Sequence, residues 1–200
     1  MENNINSTKD VPSKKSKLRK HAEDAWDLVK FAALALAIVV PIRMFIAQPF
    51  VVSGESMFST FHDGQYLIVD EISYLLSHPH RGDVVIFKYP LDTSRYFIKR
   101  VIGMPNEKIS INKGVITIIN KENPNGFVLD EPYIREKFDT TGEYTTGDGE
   151  YFALGDNRNF SLDSRSWGVV PKKDLVGRAY LRLLPFNSIS YLPGAFKETK

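Results

Sequence analysis

Three short stretches hold the residue types that acyl-transfer chemistry needs. The first is Val51-Val52-Ser53-Gly54-Glu55-Ser56-Met57-Phe58-Ser59-Thr60, rich in hydroxyls but without histidine. The second is Tyr96-Phe97-Ile98-Lys99-Arg100-Val101-Ile102-Gly103, where a lysine interrupts an apolar β-type run. The third is Gly155-Asp156-Asn157-Arg158-Asn159-Phe160-Ser161-Leu162-Asp163-Ser164-Arg165, dense in polar groups able to orient the other two. Serine and glycine also serve ordinary turns, so the first stretch alone says little. A serine nucleophile with a lysine base is an alternative to the Ser-His-Asp triad. The three stretches together contain its parts.

In an extended strand Phe97, Lys99 and Val101 share one face, and Ile98, Arg100 and Ile102 the other. Both cations can snorkel to water, which is the ordinary fate of such side chains. For Lys99 to act as a base it must be neutral. A free lysine has a pKa near 10.4, so at neutral pH roughly one in several thousand is neutral. Burial disfavours the ammonium and lowers the pKa by up to several units. A value of about 8 would leave about a tenth neutral at pH 7. Such an amine can take the hydroxyl proton of Ser56, which then attacks a carbonyl carbon. The oxyanion needs donors, and the Ser56 backbone N–H is one candidate. The sequence assigns no second donor. Ser161 can hold the Lys99 amine toward Ser56, and Asp163 and Arg165 can pair behind it. Asp156, Asn157 and Arg158 read as a polar turn after a strand.

The elements that must position these groups follow from composition and period. Two hundred residues suit one domain plus appendages. Apolar residues make up 42%, enough for a core, and a net charge of +2 argues against a nucleic-acid binder. The absence of cysteine removes disulfides, thiol nucleophiles and cysteine-based zinc sites. His78-Pro79-His80 lacks an HExxH or carboxylate spacing, so neither metal nor cofactor is expected. Residues 1–25 are polar and carry Lys9, Lys14, Lys15, Lys17, Arg19 and Lys20, the pattern of a cytoplasmic tail under the positive-inside rule. Residues 28–46 form the one long apolar run, which as a helix spans about 28 Å, close to the hydrocarbon thickness. Trp26, Lys30 and Arg43 suit the interfaces. Phe45-Ile46-Ala47 offers no small-x-small cleavage site, so residues 26–47 read as an uncleaved anchor in the lipid bilayer, running inside to outside.

Residues 48–200 read as an extracytoplasmic, mostly β domain. Short β-branched or aromatic runs occur at 49–52, 66–69, 83–87, 96–102, 108–111, 115–119, 151–154 and 178–184. Asn112-Lys113-Gly114 suits a hairpin turn. Residues 120–149 are poorer in apolar groups, and a loop-rich excursion is expected there.

The three stretches, in this order behind a single anchor, resemble the bacterial type I signal peptidase family in its single-anchor form. Ser53-Gly54-Glu55-Ser56-Met57 is similar to its serine box, and Arg81-Gly82-Asp83-Val84-Val85 to its Arg-Gly-Asp strand. Lys99-Arg100-Val101-Ile102-Gly103 with Pro105 is similar to its lysine box. Gly155-Asp156-Asn157-Arg158 through Ser161, Asp163-Ser164-Arg165 and Gly168 is similar to its last box, and Asp130-Glu131-Pro132-Tyr133 also fits. The resemblance spans roughly residues 26–185. It implies an antiparallel β-sheet domain with an apolar face on the membrane. It implies Ser56 as nucleophile, Lys99 as general base, Ser161 as orienter of Lys99, and Asp163 with Arg165 as supports. The implied substrates are signal peptides of secreted preproteins, cut after small residues at their last and third-last positions. Three departures stand out. Ser59 replaces the family's usual proline, Phe160 stands before Ser161 where a polar residue is usual, and Gly54 lies two residues before Ser56.

Other readings make different demands. A self-cleaving serine–lysine repressor shares the dyad but lacks a span. A catalytically dead β-domain that binds preproteins needs neither Ser56 nor Lys99. A single-pass adaptor has no use for the third stretch.

Overall fold

A change of hydrophobic period near Gln48 separates a helical segment from a β-rich one. The computed structural model describes residues 14–45 and 47–196. It divides into two units, Met1–Arg43 and Met44–Lys200.

Helix α1 spans Lys14–Phe45. Residues 31–40 are apolar at every position, so this stretch has no polar stripe. Leu28, Val29, Phe31, Leu34, Leu36, Ile38, Val39 and Val40 are all exposed. Among the described residues no helix is long and apolar enough to cross a membrane. Residues 1–13 of the expected tail, and Ile46 in the expected span, lie outside the described residues. The basic cluster from Lys14 to Lys20 is helical, so α1 starts well inside the stretch read as a polar tail.

The second unit is mostly antiparallel β. Its strands are β1 (Ala47–Val51), β2 (Tyr66–Asp70), β3 (Val84–Tyr89), β4 (Asp92–Gly103), β5 (Lys108–Asn112), β6 (Val115–Ile119), β7 (Phe127–Val128), β8 (Gly142–Thr145), β9 (Glu150–Leu154), β10 (Val170–Pro171), β11 (Leu175–Leu184) and β12 (Ser190–Tyr191). Helix α2 (Ile72–Leu76) follows β2, and α3 (Ser164–Trp167) starts at the end of the third stretch. The large sheet runs β1-β2-β11-β3-β4-β9-β10, with β12 paired to β11, and a second sheet runs β7-β6-β5-β8.

Strand β3 explains why residues 84–87 are continuously apolar. Val84 and Ile86 pack into one buried cluster with Met57 and Phe61, while Val85 and Phe87 enter another with Val101 and Ala153. A strand buried on both faces shows no alternation. A third cluster joins the sheets, with Ile109, Ile111, Ile116 and Ile118 against Ile102, Phe152 and Leu154. The hairpin at Asn112–Gly114 forms as expected, with Lys113 at φ 49° and Gly114 at φ 81°. Residues 120–149 are mostly loop, as expected, with two short strands the sequence did not show. They supply β7 and β8, which flank β5 and β6. These strands are only two and four residues long, too short for alternation to show.

The large sheet is strongly curled. β1 and β4 are four steps apart in strand order. Laid flat they would stand about 19 Å apart at the usual strand spacing. The rings of Phe50 and Tyr96 nevertheless meet edge-on at 5.4 Å. This curl brings the first stretch over the second.

Candidate active site

The loop after β1 presents Ser56. Val52 donates its N–H to Gln65 O and accepts from Gly64 N–H, both at 2.9 Å, closing the loop's base. Gly54, at φ 85°, donates its N–H to Asp63 Oδ1 at 2.7 Å. Phe58 N–H bonds Glu55 O at 3.0 Å, making a tight turn around Ser56. Met57 and Phe61 are buried, so the residue after the serine is anchored in the core. Ser56 itself stays partly accessible.

Lys99 meets it from β4. Its Nζ lies 2.7 Å from Ser56 Oγ, and it donates to Ile98 O at 2.9 Å. The side chain is only 4% exposed and sits 5.2 Å from the centre of the Phe97 ring. Burial pulls its pKa from 10.5 down to about 8, and the nearby Asp163 and Asp156 carboxylates oppose part of that fall. Desolvation wins because a buried ammonium loses its water shell while both anions are engaged with arginines. The strand face expected from alternation and the cage of Phe97 are therefore both present.

The third stretch is drawn in by register. β9 pairs antiparallel with β4, Arg100 facing Leu154 and Val101 facing Ala153. Gly155 and Asp156 then emerge beside Arg100. Asp163 and Arg165 form a bidentate pair, with Arg165 Nε on Oδ1 and a terminal nitrogen on Oδ2, both at 2.8 Å. Asp163 Oδ2 also accepts the N–H of Gly155 at 3.1 Å. The Ser161 hydroxyl is buried and has no hydrogen-bond partner. It lies against Gly155, where a Cβ would fall 2.2 Å from Ser161 Oγ and 2.4 Å from the Ser56 carbonyl oxygen. Only glycine leaves room for that approach.

Sequence reasoning missed three members of the site. Arg100 is fully buried and grips Asp156 through two bonds of 2.8 and 2.6 Å. It also bonds the carbonyls of Gly82 and Gly194 and lies 3.9 Å from the Tyr133 ring centre. Asn157, read as a turn residue, donates its backbone N–H to Ser56 O at 3.0 Å and its side-chain amide to Glu55 O at 3.1 Å. One signal was available. A cation on each face of an apolar strand calls for a buried anion, and Asp156 is that anion for Arg100.

Ser56 and Lys99 sit in a cleft of about 460 Å³ whose walls include Phe50, Val52, Ile86, Tyr96 and Ile98. β1 ends the large sheet, and residues 96–99 of β4 pair with β3 on one side while β9 joins only from Arg100. The cleft thus lies between two open backbone edges. His78 and His80 lie elsewhere, near Lys172 and Asp83. Among the described residues no group of His, Cys, Asp and Glu could hold a metal.

Comparison with known proteins gives one family. A family model described as signal peptidase, peptidase S26, matches residues 25–184. A probable signal peptidase I-2 of Synechocystis is 35% identical over 178 residues, covering 85% of this chain and 78% of that protein. A signal peptidase I of Leptolyngbya laminosa is 35% identical over 173 residues, 82% of each chain. A signal peptidase I of Bacillus amyloliquefaciens is 31% identical over 191 residues, 89% of this chain and 95% of that one. The match takes in the serine loop, β4 and the stretch after β9 together, and this chain belongs to the signal peptidase family, peptidase S26.

Proposed function

We propose that this chain is a membrane-anchored serine endopeptidase that removes signal peptides from secreted preproteins with a Ser56–Lys99 dyad. The observation behind this reading is the 2.7 Å contact between Lys99 Nζ and Ser56 Oγ, made by a lysine whose pKa burial lowers to about 8. The neutral amine accepts the Ser56 proton as Oγ attacks the scissile carbonyl carbon. The resulting ammonium then protonates the leaving amine, and the C–N bond breaks to leave an acyl-enzyme. Water gives its proton to Lys99, attacks the ester and releases the acid, and Ser56 recovers its proton. The Ser56 backbone N–H stabilises the oxyanion. Ser161 turns its free hydroxyl to Lys99 during turnover, and the Asp163–Arg165 pair fixes the backbone around it.

The substrate enters as an extended strand between the two open edges, where main-chain bonds give affinity and alternate side chains meet pockets. Small residues at the last and third-last signal positions suit a cleft walled by the branched side chains of Ile86 and Ile98. A preprotein with Phe or Lys at the last position is expected to be cut at least about a hundredfold more slowly.

Within the expected anchor 26–47, the segment from Trp26 to Phe45 of α1 is the anchor, since Ala47 already belongs to β1. The all-round apolar run at 31–40, with its exposed side chains, supports a segment whose solvent is lipid. The lysine cluster before it supports a cytoplasmic N-terminus. Protease added outside intact membranes should digest the domain after Gln48 and spare residues before Trp26. The decisive experiment is cleavage of a model preprotein in detergent by the wild type and by Ser56→Ala. Equal turnover would end the dyad reading.

A further inference from the structure

Asn157 holds two consecutive carbonyls of the serine loop, Glu55 O through its side-chain amide at 3.1 Å and Ser56 O through its backbone N–H at 3.0 Å. The Glu55–Ser56 peptide is trans. In a planar trans peptide the C=O and N–H point in opposite directions. Whatever fixes the Glu55 carbonyl therefore fixes the Ser56 N–H. Glu55 and Ser56 line the cleft and Asn157 does not. The carbonyl turned toward Asn157 leaves the N–H turned the other way, to the side where substrate lies.

From this geometry we infer that Asn157 is the positioning residue of the oxyanion site, aiming the Ser56 N–H through the Glu55 carbonyl. The inference rests on Ser56 being the nucleophile. Asn157 does not touch the reacting atoms. The turn bond from Phe58 N–H already engages the same carbonyl at 3.0 Å, but it comes from within the loop and moves with it. Asn157 ties the loop to the β9 exit instead. That exit is rigid because the adjacent Asp156 is locked on buried Arg100. The sequence Asp156-Asn157 thus joins the fold's buried ion pair to the nucleophile's own peptide.

The chemistry demands a donor at this position. An aspartate has the same shape but offers no N–H to the Glu55 carbonyl and sets its charge against that oxygen. All Asn157 variants keep the backbone bond to Ser56 O, so they isolate the side-chain clamp.

The test compares wild type, Asn157→Ala, Asn157→Asp and Ser56→Ala on a model preprotein in detergent. Loss of a preorganised oxyanion donor lowers kcat by about 10² to 10³-fold, and misaiming one lowers it less, so about 10 to 100-fold is expected for both Asn157 variants. KM should stay within about twofold, because the N–H bonds the transition state more than the ground state. In Asn157→Ala, which adds no charge, the pH limb set by Lys99 should not move. A substrate-like peptide aldehyde ending in alanine forms a tetrahedral adduct on Ser56, and its affinity should fall by the same factor as kcat. Melting temperatures show whether the alanine variant folds, and the isosteric aspartate variant carries the test if it does not. Wild-type kcat with undiminished aldehyde binding, a change confined to KM, or a displaced pH limb in Asn157→Ala would each overturn the inference. An active Ser56→Ala would instead overturn the dyad. An inactive Ser56→Ala beside fully active Asn157 variants removes only the clamp.

Discussion

Arg100 and Asp156 face each other as a bidentate ion pair with neither side chain exposed to solvent. Each is the sequence neighbour of a site residue, Arg100 of Lys99 and Asp156 of Asn157. The pair therefore clamps the strand bearing the base to the turn that holds the nucleophile loop. Thr60 adds a hydroxyl to Asp156 Oδ2 at 2.5 Å, so the loop's far end joins the same carboxylate.

Breaking that pair from one side leaves a buried charge. Asp156→Asn is expected to cost about 3 to 5 kcal/mol in urea unfolding. Replacing both partners with apolar residues, as in Arg100→Met with Asp156→Leu, should cost less than the two single changes summed. Additive losses would mean the two side chains do not act as a pair.

The pH–rate profile follows from Lys99. It must be neutral to take a proton, and burial lowers its pKa to about 8. kcat/KM should therefore rise with pH through about 8 and be poor in acid. A profile already flat from pH 6 upward, or one that histidine modification displaces, would remove Lys99 as the base.

The same lowered pKa destabilises the fold. A fall from 10.5 to about 8 corresponds to roughly 3 kcal/mol against the ammonium. Below about pH 8 the folded and unfolded lysines are both protonated, so the penalty is fully present. Between about 8 and 10.5 the unfolded chain binds more protons, and stability rises with pH. Lys99→Met should abolish cleavage yet be at least as stable as wild type at pH 7, its advantage fading toward pH 10. Denaturant midpoints across pH measure this, and a variant less stable at pH 7 than at pH 10 relative to wild type contradicts it.

Ser161→Ala separates catalysis from stability. The hydroxyl has no hydrogen-bond partner in the resting site, so its removal should change the melting temperature little. If it orients Lys99 during turnover, kcat should fall strongly with KM nearly constant. An unaltered kcat would leave Ser161 as packing against Gly155.

Gly155→Ala tests the close approach behind the nucleophile. Its Cβ would stand 2.4 Å from the Ser56 carbonyl oxygen, a backbone atom that cannot swing aside. Overpacking of this kind costs about 1 to 3 kcal/mol, and displacement of the serine loop should cut kcat by about a hundredfold. Full activity would show that the loop moves freely.

Much of this protein was legible along the chain because the deciding forces are local. The β-branched runs bounded by turn residues became strands β1 to β6, β9 and β11, and the Lys113-Gly114 turn followed from positive φ. The alternation of β4 placed Lys99 beside Phe97, and the spacing of Asp163 and Arg165 gave their ion pair. What stayed hidden depends on register and curl. Only the Arg100–Leu154 pairing brings Asp156 to Arg100, residues 56 positions apart. Only the curl of the large sheet brings Ser56 within 2.7 Å of Lys99. Asn157 looked like any turn amide, because a side chain's hydrogen-bond partner across 102 positions leaves no local trace. Chain order determined which groups exist and what each can do. Tertiary structure decided which carbonyl each donor finds, because a hydrogen bond needs a distance and an angle that no periodicity encodes.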